Sequence, residues 1–308
     1  MATNTGTLGD KIFRTVLIVF ASTIVLIVVA MIAMLIANSL PTLQKFGIGF
    51  LFEREWQPAS DIYGALPFIY GTIVSSVIAL LISVPLSLGI AIFLVEQAPK
   101  KLATPIAFMV ELLAAIPSVV YGLWGIFVLA PFIREYLGRF LQEYFGFIPI
   151  FQGRLTGIGM LTGGLILALM VTPIITAIVR DVLEVVPNTQ REAALALGAT
   201  KWETTKIVLG NAASGIAGAI VLGLGRALGE TMAITMVIGN VPQISTSIFD
   251  SANTIASVLA ANFAEATDRL YLSALIEMGL VLFLVTFIIN AFAKFLVSSV
   301  AKKAGQKK

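Results

Sequence analysis

Residues 212–239 read AASGIAGAIVLGLGRALGETMAITMVIG. This stretch of 28 residues carries two charges, Arg226 and Glu230, four positions apart. About 20 mostly apolar residues are enough to cross a bilayer as a helix, so the stretch reads as a membrane span. A charged side chain at the bilayer centre costs roughly 2.5–3.5 kcal/mol on insertion scales, which makes the two charges the exception to explain.

The flanking sequence has the same character. The 308 residues are 58% hydrophobic and 12% charged, against about 25% charged in soluble domains, so the chain belongs in lipid. Six segments are long and apolar enough to span: 16–37, 68–94, 105–131, 157–179, 212–239 and 271–297. The first far exceeds the roughly 7–15 apolar residues of a secretion signal and reads as a retained anchor. Thirteen Lys and Arg fall on the side of the termini and six on the other, which puts both termini in the cytoplasm. The organisation is a cytoplasmic segment 1–15, one transmembrane domain 16–298 and a basic tail 299–308.

Neither cysteine nor histidine occurs, which removes thiol chemistry, histidine acid–base catalysis and the usual zinc ligands. No catalytic or metal-ligating residue is expected. The outer loops are 40–66, 132–155 and 240–270. In the last, Ile255, Leu259 and Phe263 at four-residue spacing predict a short surface helix.

The inner link 181–210 contains VPNTQREAALALGATKWETTKIVLG at 186–210. Thr189 with Glu192, and Thr200 with Glu203, both fit a capping box. Gly198 fits the left-handed position that closes a helix. The expectation is a short helix near 190–197, a turn, and a second helix leading into the fifth span. A surface connector and a rigid helix docking in a partner's groove both fit this pattern.

Counted from residue 212, Arg226 lies roughly 21 Å along the fifth span, near mid-membrane, with Glu230 one turn further on the same face. A structural ion pair is one reading. A purely structural pair, however, is replaceable by apolar residues at little cost, whereas intramembrane charges usually face a substrate or an aqueous path. A guanidinium fork suits the oxygens of a tetrahedral oxyanion and stays charged, and the adjacent carboxylate limits how tightly an anion is held. Gly215, Ala219, Gly223 and Ala227 form one small-residue stripe and Gly225 and Gly229 a neighbouring one, fitting close helix packing within the chain or against another. Glu111, ahead of the helix-kinking Pro117, is a candidate gate or a partner for Arg226, or equally a residue near the cytoplasmic interface. Glu277 reads as a packing residue, and Tyr121 and Trp124 as interfacial anchors near the outer end of the third span.

Importing an anion against an inside-negative potential costs about 2.3 kcal/mol per charge per 100 mV, so such transport has to be driven. The chain has no G-x-x-x-x-G-K-[ST] loop, so an ATPase would be a separate polypeptide. A passive anion channel needs no motor. An intramembrane enzyme lacks its parts, since no lysine lies in a span and no paired carboxylates share a face.

EAALALG at 192–198 resembles the EAA loop by which membrane subunits of ATP-driven importers rest on their ATPase. That loop usually ends in Ile-x-Leu-Pro, and here Gly210 replaces the proline in IVLG. DIYGALPFIYGTI at 61–73, ELLAAIPSVVYGLWG at 111–125 and LGLGRALGETMA at 222–233 resemble the PstC-type permeases of bacterial phosphate-specific ABC importers. The resemblance implies an all-α integral membrane protein with six transmembrane helices, similar to type I ABC importer permeases. It implies a phosphate pathway at Arg226, Glu230 and Glu111, and ATPase coupling through Glu192, Ala193, Ala194 and Gly198. It also implies a second similar permease subunit, two ATPase subunits that use ATP and Mg, and an extracytoplasmic phosphate-binding protein. Sulfate or molybdate is the alternative substrate. The location implied is the bacterial plasma membrane.

Overall fold

The computed structural model describes residues 8–305, with side chains to residue 295. Helices α1 (Leu8–Phe46), α2 (Leu66–Gln97), α4 (Ser118–Phe145), α5 (Met160–Val185), α7 (Lys201–Leu228) and α10 (Arg269–Gly305) are each long and apolar enough to cross a membrane. Shorter helices fill the connections: α3 (Lys100–Ala115), α6 (Asn188–Ala196), α8 (Met232–Val237) and α9 (Ile255–Asn262). Among the described residues there is no β-strand, only the isolated bridges Gln57–Ile62 and Gly239–Ala252. The all-α, six-span fold read from the sequence is the one observed.

α5 is the centre of the molecule. In its most apolar window 72% of residues are buried, whereas no residue of the corresponding window of α1 is buried, which makes α1 a flank of the molecule. α2 makes the most extensive contact with α5, followed by α7. The first backbone N–H groups of a helix lack partners within it, and α5 finds them in the folded outer loop. Met160 N donates to the Asp250 carbonyl at 3.1 Å and Leu161 N to the Ile248 carbonyl at 2.7 Å.

The third and fifth spans depart most from their expected limits. The segment expected as 105–131 is broken at Ile116–Pro117, and the membrane-length helix is α4, with α3 a separate element. The residue before proline is driven to extended backbone, and Ile116 has ψ 127°. Proline also has no N–H to offer four residues back, to the Leu113 carbonyl. The Tyr121 hydroxyl donates to that carbonyl at 2.8 Å and splints the break. Tyr121 is therefore a buried residue in the first turn of α4 rather than an anchor at the outer end of a span. π-helical turns at Gly125–Leu129 and Ile133–Leu137 interrupt α4 further along.

The fifth span begins earlier and ends earlier than 212–239. Thr200 and Glu203 form the predicted capping box, so α7 starts at Lys201 and runs unbroken to Leu228. The other expected box does not form. α6 already begins at Asn188 behind Pro187, which leaves Thr189 inside the helix. Gly198 adopts φ +84°, and Ala199 N reaches back to the Ala194 carbonyl at 3.1 Å, closing α6 as expected.

The outer loops build an ordered lid. α9 is not a surface helix: Ile255, Ala256 and Val258 are buried with Phe50, Phe68, Leu275 and Met278 beneath it, Leu259 is half-buried, and Phe263 is exposed just beyond its end. Its Thr254 cap is satisfied by Ser257, which replaces solvent at the buried helix start. Trp56 packs edge-on against Phe68 at 5.0 Å and Tyr63 at 5.2 Å. Burial, reinforced by nearby Asp61 and Asp268, pushes the Tyr63 phenol up to about 12.

Candidate translocation site

The small-residue stripe of α7 sets the depth of the charged pair. A Cβ on Gly215 would lie 2.5 Å from the Val182 side chain, and one on Gly223 would lie 2.7 Å from Ile175. Ala219 and Ala227 are buried on the same face. α7 thus runs antiparallel to α5, with Gly223 opposite Val171 and Ile175. At 1.5 Å per residue, Arg226 stands about 4.5 Å beyond that contact, within roughly a turn of the middle of α5. This register places Arg226 close to the middle of α5 along the packed pair.

The helix ends before the second charge. α7 stops at Leu228, and Glu230 sits in the break ahead of α8. The two residues therefore do not share one helix face, yet Arg226 Nη2 lies 3.2 Å from Glu230 Oε2. The pair is asymmetric: the Arg226 side chain is 47% exposed and that of Glu230 only 4%. Glu230 Oε1 also accepts from Ala233 N at 3.3 Å, which ties the carboxylate to the first turn of α8. Arg226 is the open member. Its neighbours Leu222 and Met232 are exposed as well. A Cβ on Gly225 would find only Asn290, at 4.0 Å, and one on Gly229 would find only the Gly225 carbonyl, at 3.6 Å. The second glycine stripe leaves the backbone beside the guanidinium uncrowded, whereas the first is packed within the chain.

This geometry presents a permanently charged, half-exposed fork level with the middle of α5. Oxyanions are held by such forks through charge-assisted hydrogen bonds. Glu230 partly neutralises the charge without blocking the open side.

Glu111 is elsewhere. It lies near the C-terminus of α3 and accepts from Arg180 Nη1 of α5 at 2.7 Å, while Arg180 also pairs with Asp181 at 3.1 Å. It is a partner of Arg180 rather than of Arg226. The coupling-loop residues stand together on α6 and its terminal turn. Glu192 and Ala193 are exposed, Ala194 is buried against the body, and Leu197 is 90% exposed ahead of Gly198. Gly210 is a mid-helix residue of α7 with open space where a side chain would be.

Residues 83–302 match the family described as the binding-protein-dependent transport system inner membrane component. The chain belongs to that family. A phosphate transport system permease protein PstC of Mesorhizobium japonicum is 46% identical over 291 residues, covering 92% of this chain and 89% of that protein. The Pasteurella multocida protein of the same name is 44% identical and covers 97% of this chain and 94% of its own length. A probable phosphate transport system permease protein PstC of Methanocaldococcus jannaschii is 38% identical, covering 82% of each chain. Among solved structures, a chain of the MetNI methionine ABC transporter in inward-facing conformations aligns with TM-score 0.49 at 19% identity, covering 77% of this chain and 94% of that one.

For this inner-membrane component, reading by segment passes over the interactions between segments. Arg180 and Arg191 read as ordinary inner-side cations, yet each pairs with a carboxylate distant in sequence, Glu111 and Glu96 respectively. The only trace in the sequence is a lone acid at the inner end of an apolar run, which does not name its partner. Glu277 is buried in α10, and its Oε2 has no hydrogen-bond partner.

Proposed function

We propose that this chain is the transmembrane permease subunit of an ATP-driven inorganic phosphate importer, forming half of the translocation pathway. One observation carries this reading: relatives 38–46% identical across more than four-fifths of the chain bear the name of phosphate permease. The half-exposed Arg226 at mid-depth supplies the matching chemistry. Arg226 lowers the electrostatic barrier for the oxyanion, Glu230 tunes its release, and the Glu111–Arg180 pair closes the inner end of the route. The uncovered face around Arg226 fits a second, similar permease subunit whose matching face completes the pathway.

The exposed α6 and Leu197 fit a groove on a separate ATPase, which uses ATP and Mg and supplies the work. Two such subunits and an extracytoplasmic phosphate-binding protein complete the assembly. The excess of inner-side Lys and Arg supports cytoplasmic termini in a bacterial plasma membrane.

The test is co-purification followed by reconstitution with labelled phosphate. The chain is expected to bring down an ATPase and a second permease, and uptake is expected to need ATP. Stronger competition by sulfate or molybdate than by phosphate would reassign the substrate. Flux driven by voltage without nucleotide would make the protein a channel.

A further inference from the structure

The inner end of the molecule holds one buried ion pair that the transport route does not use. The last, π-helical turn of α2 carries Glu96, and α6 carries Arg191; their side chains are only 9% and 17% exposed. Arg191 Nη2 donates to Glu96 Oε1 at 2.8 Å and Arg191 Nε to the same oxygen at 3.1 Å. Nη2 also donates to the Leu183 carbonyl at 3.0 Å, while Nη1 donates to the Val186 carbonyl at 2.7 Å and to Asn188 Oδ1 at 3.3 Å. All five guanidinium donors are thereby used.

Each partner belongs to a different mechanical unit. Leu183 lies in the last turn of α5, where helix carbonyls have no intrahelical partners, and Val186 is its terminal cap residue. Glu96 ends α2. Arg191 therefore ties α6 at once to the inner ends of the two helices that pack most extensively in the core. Beside it, Asn211 Nδ2 of α7 donates to Gln190 Oε1 at 2.7 Å. A helix that merely rested on the membrane surface would not need a desolvated charge, since burying one is costly unless it is fully hydrogen-bonded. The hydrogen bonds tie α6 to the ends of both α2 and α5.

We infer that the Glu96–Arg191 pair is a positioning clasp that transmits movement of α6 to the α2–α5 core, so that nucleotide-driven motion reaches the translocation route. The inference rests on the proposed docking of α6 to an ATPase. With the clasp loosened, α6 still docks and the ATPase still cycles, but α6 swings on its own turns and the core follows poorly.

The experiment uses the complete purified complex in proteoliposomes, with three readouts: assembly, ATP hydrolysis, and anion moved per ATP hydrolysed. E96Q keeps the shape and one acceptor but removes the charge. R191K keeps the charge but loses the carbonyl bonds to α5. Both variants are expected to assemble and hydrolyse ATP near the wild-type rate while moving about tenfold less phosphate per ATP, within the usual range of coupling between sites. An unchanged ratio, a parallel loss of hydrolysis and transport, or failure of both variants to assemble would overturn the clasp. A wild-type complex that carries another oxyanion, yet loses coupling in E96Q, would refute the phosphate assignment and sustain the clasp. No nucleotide-dependent transport in the wild type would overturn both.

Discussion

Arg226 is the residue on which the proposed route depends. Its charge is fixed, its depth is set by glycine contacts on the opposite face of α7, and its exposure comes from two glycines that add no side chain beside it. R226Q keeps a polar side chain, though a shorter one, and loses the charge. Phosphate uptake is expected to fall about a hundredfold, the scale of a barrier of about 2.5–3.5 kcal/mol, with normal assembly on co-purification. Normal uptake would remove Arg226 from the pathway. Glu230 is anchored by Ala233 N, and glutamine can keep that bond. E230Q is expected to hold phosphate more tightly and release it more slowly, each by about fivefold. That corresponds to losing ~1 kcal/mol of repulsion, and concentration-dependent uptake kinetics read both.

At the scale of elements, two features decide how the helices fit. The break between α3 and α4 is set by Pro117 and splinted by the Tyr121 hydroxyl. Y121F keeps the ring in place but leaves the Leu113 carbonyl poorly satisfied, so a loss of about 1 kcal/mol is expected in thermal unfolding of the solubilised protein. The two glycine stripes of α7 make a contrast. An alanine at Gly223 would press on Ile175 at 2.7 Å, and G223A is expected to cost about 1–3 kcal/mol. G225A meets nothing closer than Asn290 at 4.0 Å and should leave stability unchanged. Equal effects in the same unfolding assay would show that the α5–α7 seam is not the tight one.

For the molecule as a whole, the exposed turn after α6 is the surface proposed to meet the ATPase. Leu197 is a large apolar side chain with almost no neighbours in its own chain, on the turn that Gly198 closes. L197D is expected to weaken ATPase binding about 30-fold or more, the effect of losing a contact of roughly 2 kcal/mol, while the chain still inserts and pairs with its companion permease. Retention of the ATPase on a pull-down would move the docking surface away from α6.

Much of this architecture is written locally. Apolar length gave the number of spans, the Thr200–Glu203 box gave the start of α7, and Gly198 gave the end of α6, because each depends on residues within a few positions of one another. The burial of α9 was not legible: its four-residue apolar spacing is the same for a helix on a surface and one under a lid, and contacts with Phe68 and Met278 decide between them. Nor did Glu111 announce Arg180, or Glu96 Arg191, since a carboxylate states its charge but not which distant helix end will approach it. The sequence by itself determined that six segments are long and apolar enough to cross a membrane, and that the fifth carries Arg226. Only the tertiary structure decided which face of α7 packs on α5 and which stays open, because that choice rests on side-chain contacts between helices, not on the order of residues within one.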